Sequence, residues 1–161
     1  MATTEANNAT AVREGSEADR TLVVERVFKA SPERVFSAWT DPKILVQWWG
    51  PEGLHTPEYT MDVREGGAWR TVMMNDKGES HTASGVYQEI APPNRLVMTW
   101  AWEQPDGSRG HETVVELSFE PAEDGTRLTL TQRLFANVEA RDNHRMGWTS
   151  SLSSLETFLS N

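Results

Sequence analysis

Four histidines, His55, His81, His111 and His144, are the side chains best suited to proton transfer or metal ligation near neutral pH. They stand on separate segments without the short spacings of a zinc site, and a chain with no cysteine has no thiolate to complete one. No metal and no cofactor is therefore expected. The sequence contains no Gly-x-Ser-x-Gly elbow, no phosphate-binding loop and no dinucleotide fingerprint, which removes the main support for hydrolase and nucleotide chemistry. Acid–base work is left to a His or carboxylate tuned inside a cavity, with His81, or His111 beside Glu112, as the candidates. No catalytic residue is assigned.

Binding chemistry has more to draw on. Seven tryptophans are present, and aromatic side chains dominate both core packing and the lining of apolar pockets. Trp39, Trp48 and Trp148 sit on helical stripes and read as core. Trp49, one step from Trp48, must point elsewhere and is placed as an aromatic lid at a cavity mouth. Leu96, Met98, Trp100 and Trp102 alternate along one strand and suit either a filled core or an adaptable pocket wall. Trp69 shares a strand face with Met73, and Tyr87 shares one with His81. A buried tyrosine can orient a ligand or bond a backbone carbonyl. Arg64 offers a fork to a ligand carboxylate or closes an ion pair with Asp62, the structural pair being favoured. Met146 and Ser150, with Ser153 and Ser154, leave a small-residue helix surface that a ligand could approach. The cavity set is thus Trp49, Trp69, Met73, Tyr87, Trp100, Met146 and Ser150, with Arg64, His81 and His111 as polar orienting groups.

These residues need elements to position them. Residues 1–20 hold one sizeable apolar residue, Val12, and read as a disordered tail, with a single domain over 21–161. Leu22 to Phe28 is β-favouring. Ser31-Pro32 and Asp41-Pro42 each pair an N-cap side chain with a proline at the first helical position, so two short helices stand back to back. From Pro57 to Leu134 the apolar period drops toward two, and turn residues recur. Six strands fit: Glu58 to Arg64, Ala68 to Met74, His81 to Ile90, Arg95 to Trp102, His111 to Phe119 and Thr126 to Leu134. Trp148, Leu152, Leu155 and Leu159 then fall at i, i+4, i+7 and i+11, one face of a long C-terminal helix.

Bulk composition limits the partners. A formal charge of −9 repels a polyanion, so nucleic acid is excluded as a partner. No run approaches the roughly 18 consecutive apolar residues of a membrane span, and no signal-peptide pattern opens the chain. Cytoplasmic localisation without membrane insertion is expected.

The segment Val27 to Pro42 (VFKASPERVFSAWTDP) resembles the opening of START-like proteins related to the activator of heat-shock-protein-90 ATPase. Gln47-Trp48-Trp49-Gly50-Pro51, Asp62 to Trp69 (DVREGGAW), Pro92 to Trp100 (PPNRLVMTW) and Gly147-Trp148 are similar to that family's blocks in content and order. The likeness covers about Thr21 to Leu159. It implies an α+β helix-grip (START-like, Bet v-like) fold: a curved antiparallel sheet of about seven strands, two short helices, and a long C-terminal helix across it. It also implies binding of a small hydrophobic ligand such as a lipid, flavonoid or polyketide-like molecule. The alternatives are regulation of a heat-shock-protein-90-type ATPase in stress response and polyketide cyclase or aromatase chemistry. A short tail is expected where the large eukaryotic activators carry a separate N-terminal domain, which weighs against ATPase stimulation.

Overall fold

A computed structural model describes residues 16–160. Strand β1 (Leu22–Phe28) is followed by helices α1 (Pro32–Thr40) and α2 (Pro42–Leu45). Six strands come next: β2 (His55–Met61), β3 (Ala68–Met74), β4 (Ser80–Ala91), β5 (Arg95–Trp102), β6 (Thr113–Ala122) and β7 (Gly125–Arg133). Helix α3 (Val138–Leu159) ends the fold. The strands form one sheet in the order β1-β7-β6-β5-β4-β3-β2, every neighbour antiparallel. Register shifts between His55 and Glu58 and between Tyr87 and Glu89 mark the irregularities at which strands bend.

The helix starts follow the caps. Ser31 Oγ accepts from the Arg34 amide, Asp41 Oδ1 from the Lys43 amide, and Asn137 Oδ1 from the Ala140 amide. Helix α3 buries Trp148, Ser151, Leu152, Leu155 and Leu159 in one core with Leu96, Val115, Leu117, Phe119, Leu128 and Leu130 of the sheet. Arg26 fixes its flank from β1, 3.0 Å from Ser153 Oγ, and Arg34 donates to the Leu159 carbonyl at its C-terminus.

Three boundaries move from the sequence reading. Strand β2 begins and ends earlier, so Asp62 and Arg64 leave the sheet and enter the turn before β3. A β-carbon on Gly67 would lie 2.0 Å from the Asp62 carbonyl oxygen, which is why that tight turn requires glycine. Strand β6 begins at Thr113, which leaves His111 in the preceding loop. Of the segment read as a disordered tail, residues 1–15 lie outside the described residues. Residues 17–20 form a turn, and Arg20 Nη1 donates to the Phe135 carbonyl at 3.1 Å. No helix among the described residues is long and apolar enough to cross a membrane.

Candidate functional site: a tryptophan-walled cleft under the long helix

Helix α3 and the sheet converge on a ring cluster. Trp49 is its hub, with ring centroids 5.5–6.5 Å from those of Trp39, Trp48, Trp69, Trp100 and Trp148. Most of these pairs are edge-on or tilted, the arrangement favoured by ring quadrupoles. The polar edges are individually anchored. Trp48 Nε1 donates to the Ala38 carbonyl, Trp49 Nε1 to Thr71 Oγ1 and Trp69 Nε1 to the Thr99 carbonyl, at 3.0, 3.0 and 3.2 Å. The last approach depends on Gly85, where a β-carbon would lie 1.9 Å from the Thr99 oxygen and 2.7 Å from Trp69 Nε1.

A buried relay joins α3 to the sheet. Trp148 Nε1 donates to Gln132 Oε1 at 2.7 Å, Gln132 Nε2 donates to Thr113 Oγ1 at 2.8 Å, and Thr113 Oγ1 donates to the Trp100 carbonyl at 3.1 Å. Gln132 is fully buried, so its amide must be satisfied internally, and both of its ends are.

Beside this cluster lies a cleft of about 470 Å³. The sheet contributes Met73, His81, Trp100 and Trp102, and the loop after α2 contributes Trp49, Gly50, Pro51 and Leu54. Helix α3 contributes Ala140, Asn143, His144, Gly147, Trp148 and Ser151. None of these residues is an acid, a lysine or an arginine. The volume falls within the roughly 300–1,000 Å³ of small-molecule pockets.

His144 is the polar centre of this wall. Its Nε2 takes the Trp102 indole N–H at 3.0 Å and its Nδ1 lies 2.8 Å from the Ala140 carbonyl. Because an indole only donates, Nε2 must accept, which places the ring hydrogen on Nδ1 and keeps the imidazole neutral. Burial lowers its pKa below the ordinary value. By contrast, the indole Nε1 of Trp100 is buried with no hydrogen-bond partner, a donor left without an acceptor.

The structure divides the sequence-derived set. Trp49, Met73, Trp100 and His81 line the cleft. Trp49, 5% exposed and locked among five rings, is a wall rather than the expected lid. Trp69 and Tyr87 lie in the packed core around a void of about 10 Å³, too small for a ligand. Burial pushes the Tyr87 phenol well above its ordinary pKa, so it stays protonated. Met146 is 72% exposed on the outer side of α3, and Ser150 Oγ accepts from the Glu52 amide on that same side. Two residues before Trp148, Met146 is rotated by about 200° on an α-helix, away from the sheet. Arg64 pairs with Asp62 at 2.8 Å in the exposed turn, and His111 Nε2 contacts the Leu134 carbonyl at 2.5 Å. Neither of them lines the cleft.

Sequence reasoning passed over His144, Asn143, Ser151 and Leu54 as site residues, and left Trp102 open between core and pocket wall, where the structure puts it in the cleft wall. The signal for His144 was present, because it precedes Trp148 by four residues and therefore shares its helix face. Among the described residues no group of three or more His, Asp or Glu could hold a metal ion.

The arrangement resembles known proteins over most of the chain. The AHSA1 protein of Silicibacter pomeroyi is 39% identical, with a TM-score of 0.82 over 87% of this chain and 97% of that one. A protein of Rhodobacter sphaeroides is 28% identical, with a TM-score of 0.76 over 91% and 96%. One from Chromobacterium violaceum is 27% identical, with a TM-score of 0.78 over 88% and 98%. No curated protein matches. The family model described as Activator of Hsp90 ATPase homolog 1-like protein matches residues 29–160, and with its seven-stranded antiparallel sheet under one long helix the chain belongs to that family.

Proposed function

We propose that this protein is a cytoplasmic binder of a small hydrophobic molecule, held in the cleft between α3 and the sheet. The observation that carries this reading is the cleft itself, about 470 Å³ walled by Trp49, Trp100, Trp102 and Trp148, with no formally charged side chain in its lining. Burial of ligand apolar area, at about 25 cal/mol per Å², supplies the affinity. Trp49 and Trp148 are already packed and hydrogen-bonded, so the ordering cost of binding is small.

Regulation of a heat-shock-protein-90-type ATPase and cyclase or aromatase activity rest on family likeness alone. The test is a thermal-shift screen with uncharged apolar compounds on the wild type and on Gly147→Leu, which places a branched side chain at the cleft wall. A saturable rise in Tm for the wild type that Gly147→Leu abolishes supports binding in the cleft. No rise with any compound, in protein shown to be folded, would reject it.

A further inference from the structure

We infer that the hydrogen bond from Trp102 to His144 is a proton-operated latch on the cleft, shut while the imidazole is neutral and released when it is protonated. As regulation of ligand release, this rests on the reading of the cleft as a binding site.

The bond joins two walls of the cleft. Trp102 ends β5, His144 stands on α3, both line the cleft, and 3.0 Å separates the indole Nε1 from the imidazole Nε2. Other side-chain ties between α3 and the strands run from Arg26 to Ser153 and Glu156, from Arg145 to the Val23 carbonyl and from Trp148 to Gln132. Among the described residues, only the Trp102 tie contains a group that changes charge near neutral pH.

Protonation alters one end of His144 and leaves the other intact. An imidazolium carries a hydrogen on both nitrogens. The Nδ1 hydrogen keeps the Ala140 carbonyl at 2.8 Å, four residues back on the same helix, so the ring stays anchored. The new Nε2 hydrogen faces the Trp102 indole hydrogen, donor against donor, and the bond is lost. Trp102 is the partner that gives way. It is only half-buried at the end of its strand, and its indole can donate to water once it turns outward. A cleft wall then opens.

The surroundings of His144 leave its proton uncompensated. Strand β5 faces it with Trp100 and Trp102, and the segment after β7 faces it with Phe135. On the sheet side the nearest titratable ring is His81 of β4, which stands against Trp102. Beyond Phe135, Arg20 donates to its carbonyl and His111 contacts that of Leu134. Along α3, Arg141 pairs with Asp142, and Arg145 donates to the Val23 carbonyl. Glu103, next to Trp102, pairs with Arg70. Burial lowers the His144 pKa, so the latch is shut above the ordinary 6.5 and opens as pH falls through the lower folded value.

Two readouts test the latch. The ¹H–¹⁵N signal of the Trp102 indole, assigned by its loss in Trp102→Phe, is followed downward from about pH 8 for as long as circular dichroism shows the fold intact. It should move upfield and exchange faster with water, in step with the ring ¹⁵N titration of His144. In His144→Gln, whose amide oxygen accepts the indole hydrogen but takes up no proton, it should hold still. Release of 2-acetonaphthone, read by recovery of tryptophan fluorescence on dilution, should be about 3- to 10-fold faster at about pH 5 than at about pH 8 in the wild type. His144→Gln should reduce that ratio to under about 2-fold, and His81→Gln should retain it. An indole signal that does not follow His144, or a release ratio that survives His144→Gln, would overturn the latch. Failure of acetonaphthone to bind at any pH would instead overturn the reading of the cleft as a binding site, and the indole titration would still decide the latch.

Discussion

Replacing Gln132 by leucine should destabilise the protein by about 2 kcal/mol, even though it puts an apolar side chain of similar size into a fully buried site. The magnitude follows from what each partner loses. Trp148 Nε1 would lose its acceptor at 2.7 Å, and at 5% exposure it has no water to turn to, which costs about 1–3 kcal/mol. Thr113 keeps the Trp100 carbonyl as its acceptor and loses only an incoming donor, worth about 1 kcal/mol or less. The added leucine methyl groups offset part of this, by roughly 1 kcal/mol. Denaturant unfolding with linear extrapolation measures the loss, and a double-mutant cycle isolates its origin. In a Trp148→Phe background no indole donor remains to be orphaned, so the same Gln132→Leu change should cost at least about 1 kcal/mol less. Equal cost in both backgrounds, or a single variant within about 0.5 kcal/mol of wild type, would refute the relay.

Gly147→Ala should raise stability by about 0.5–1 kcal/mol in the same assay, since its β-carbon would meet only Pro51 Cγ, at 3.8 Å, within a helix. A loss instead would mean the helix approaches the loop more closely than described. Gly85→Ala should cost about 3 kcal/mol or more, because the 1.9 Å contact is with the Thr99 backbone and only strand displacement relieves it. A cost under about 1 kcal/mol would contradict that contact. His144 contributes stability that is complete above its ordinary pKa of 6.5, because its folded pKa is lowered by burial. That contribution falls as pH drops below 6.5 and levels off once the folded form also takes up a proton. Denaturation midpoints from about pH 8 to about pH 5 should therefore decline more steeply in wild type than in His144→Phe, and parallel declines would contradict the neutral imidazole.

Much of the architecture was legible because local chemistry dictates it. Ser31-Pro32 and Asp41-Pro42 cap their helices through their own side chains, and β3 and β5 begin and end where the alternation of apolar residues does. The site was only partly legible, since a periodicity gives direction and not depth. Tyr87 and His81 share a face of β4, yet six residues of extended chain separate them by about 20 Å, and only His81 reaches the cleft. Met146 was assigned to the cavity as part of a small-residue helix surface with Ser150, Ser153 and Ser154, and a count of helical turns from Trp148 places that surface outside. The hydrogen bond that engages His144 comes from Trp102, 42 residues away, and no local pattern announces it. Gly85 likewise matters through Thr99 and Trp69, neighbours that only strand register reveals.

The central claim, a ligand seated between α3 and the sheet, is tested most directly by the methionine methyl groups. Met73 lines the cleft and Met146 stands exposed on the opposite side of the helix, so the two report on inside and outside in one spectrum. With ¹³C-methyl-methionine protein titrated with 2-acetonaphthone, the account predicts a saturable shift of the Met73 signal and contacts between its methyl and the naphthyl protons, with Met146 unmoved. A shift at Met146 with none at Met73 would place the ligand on the outer surface and contradict the account.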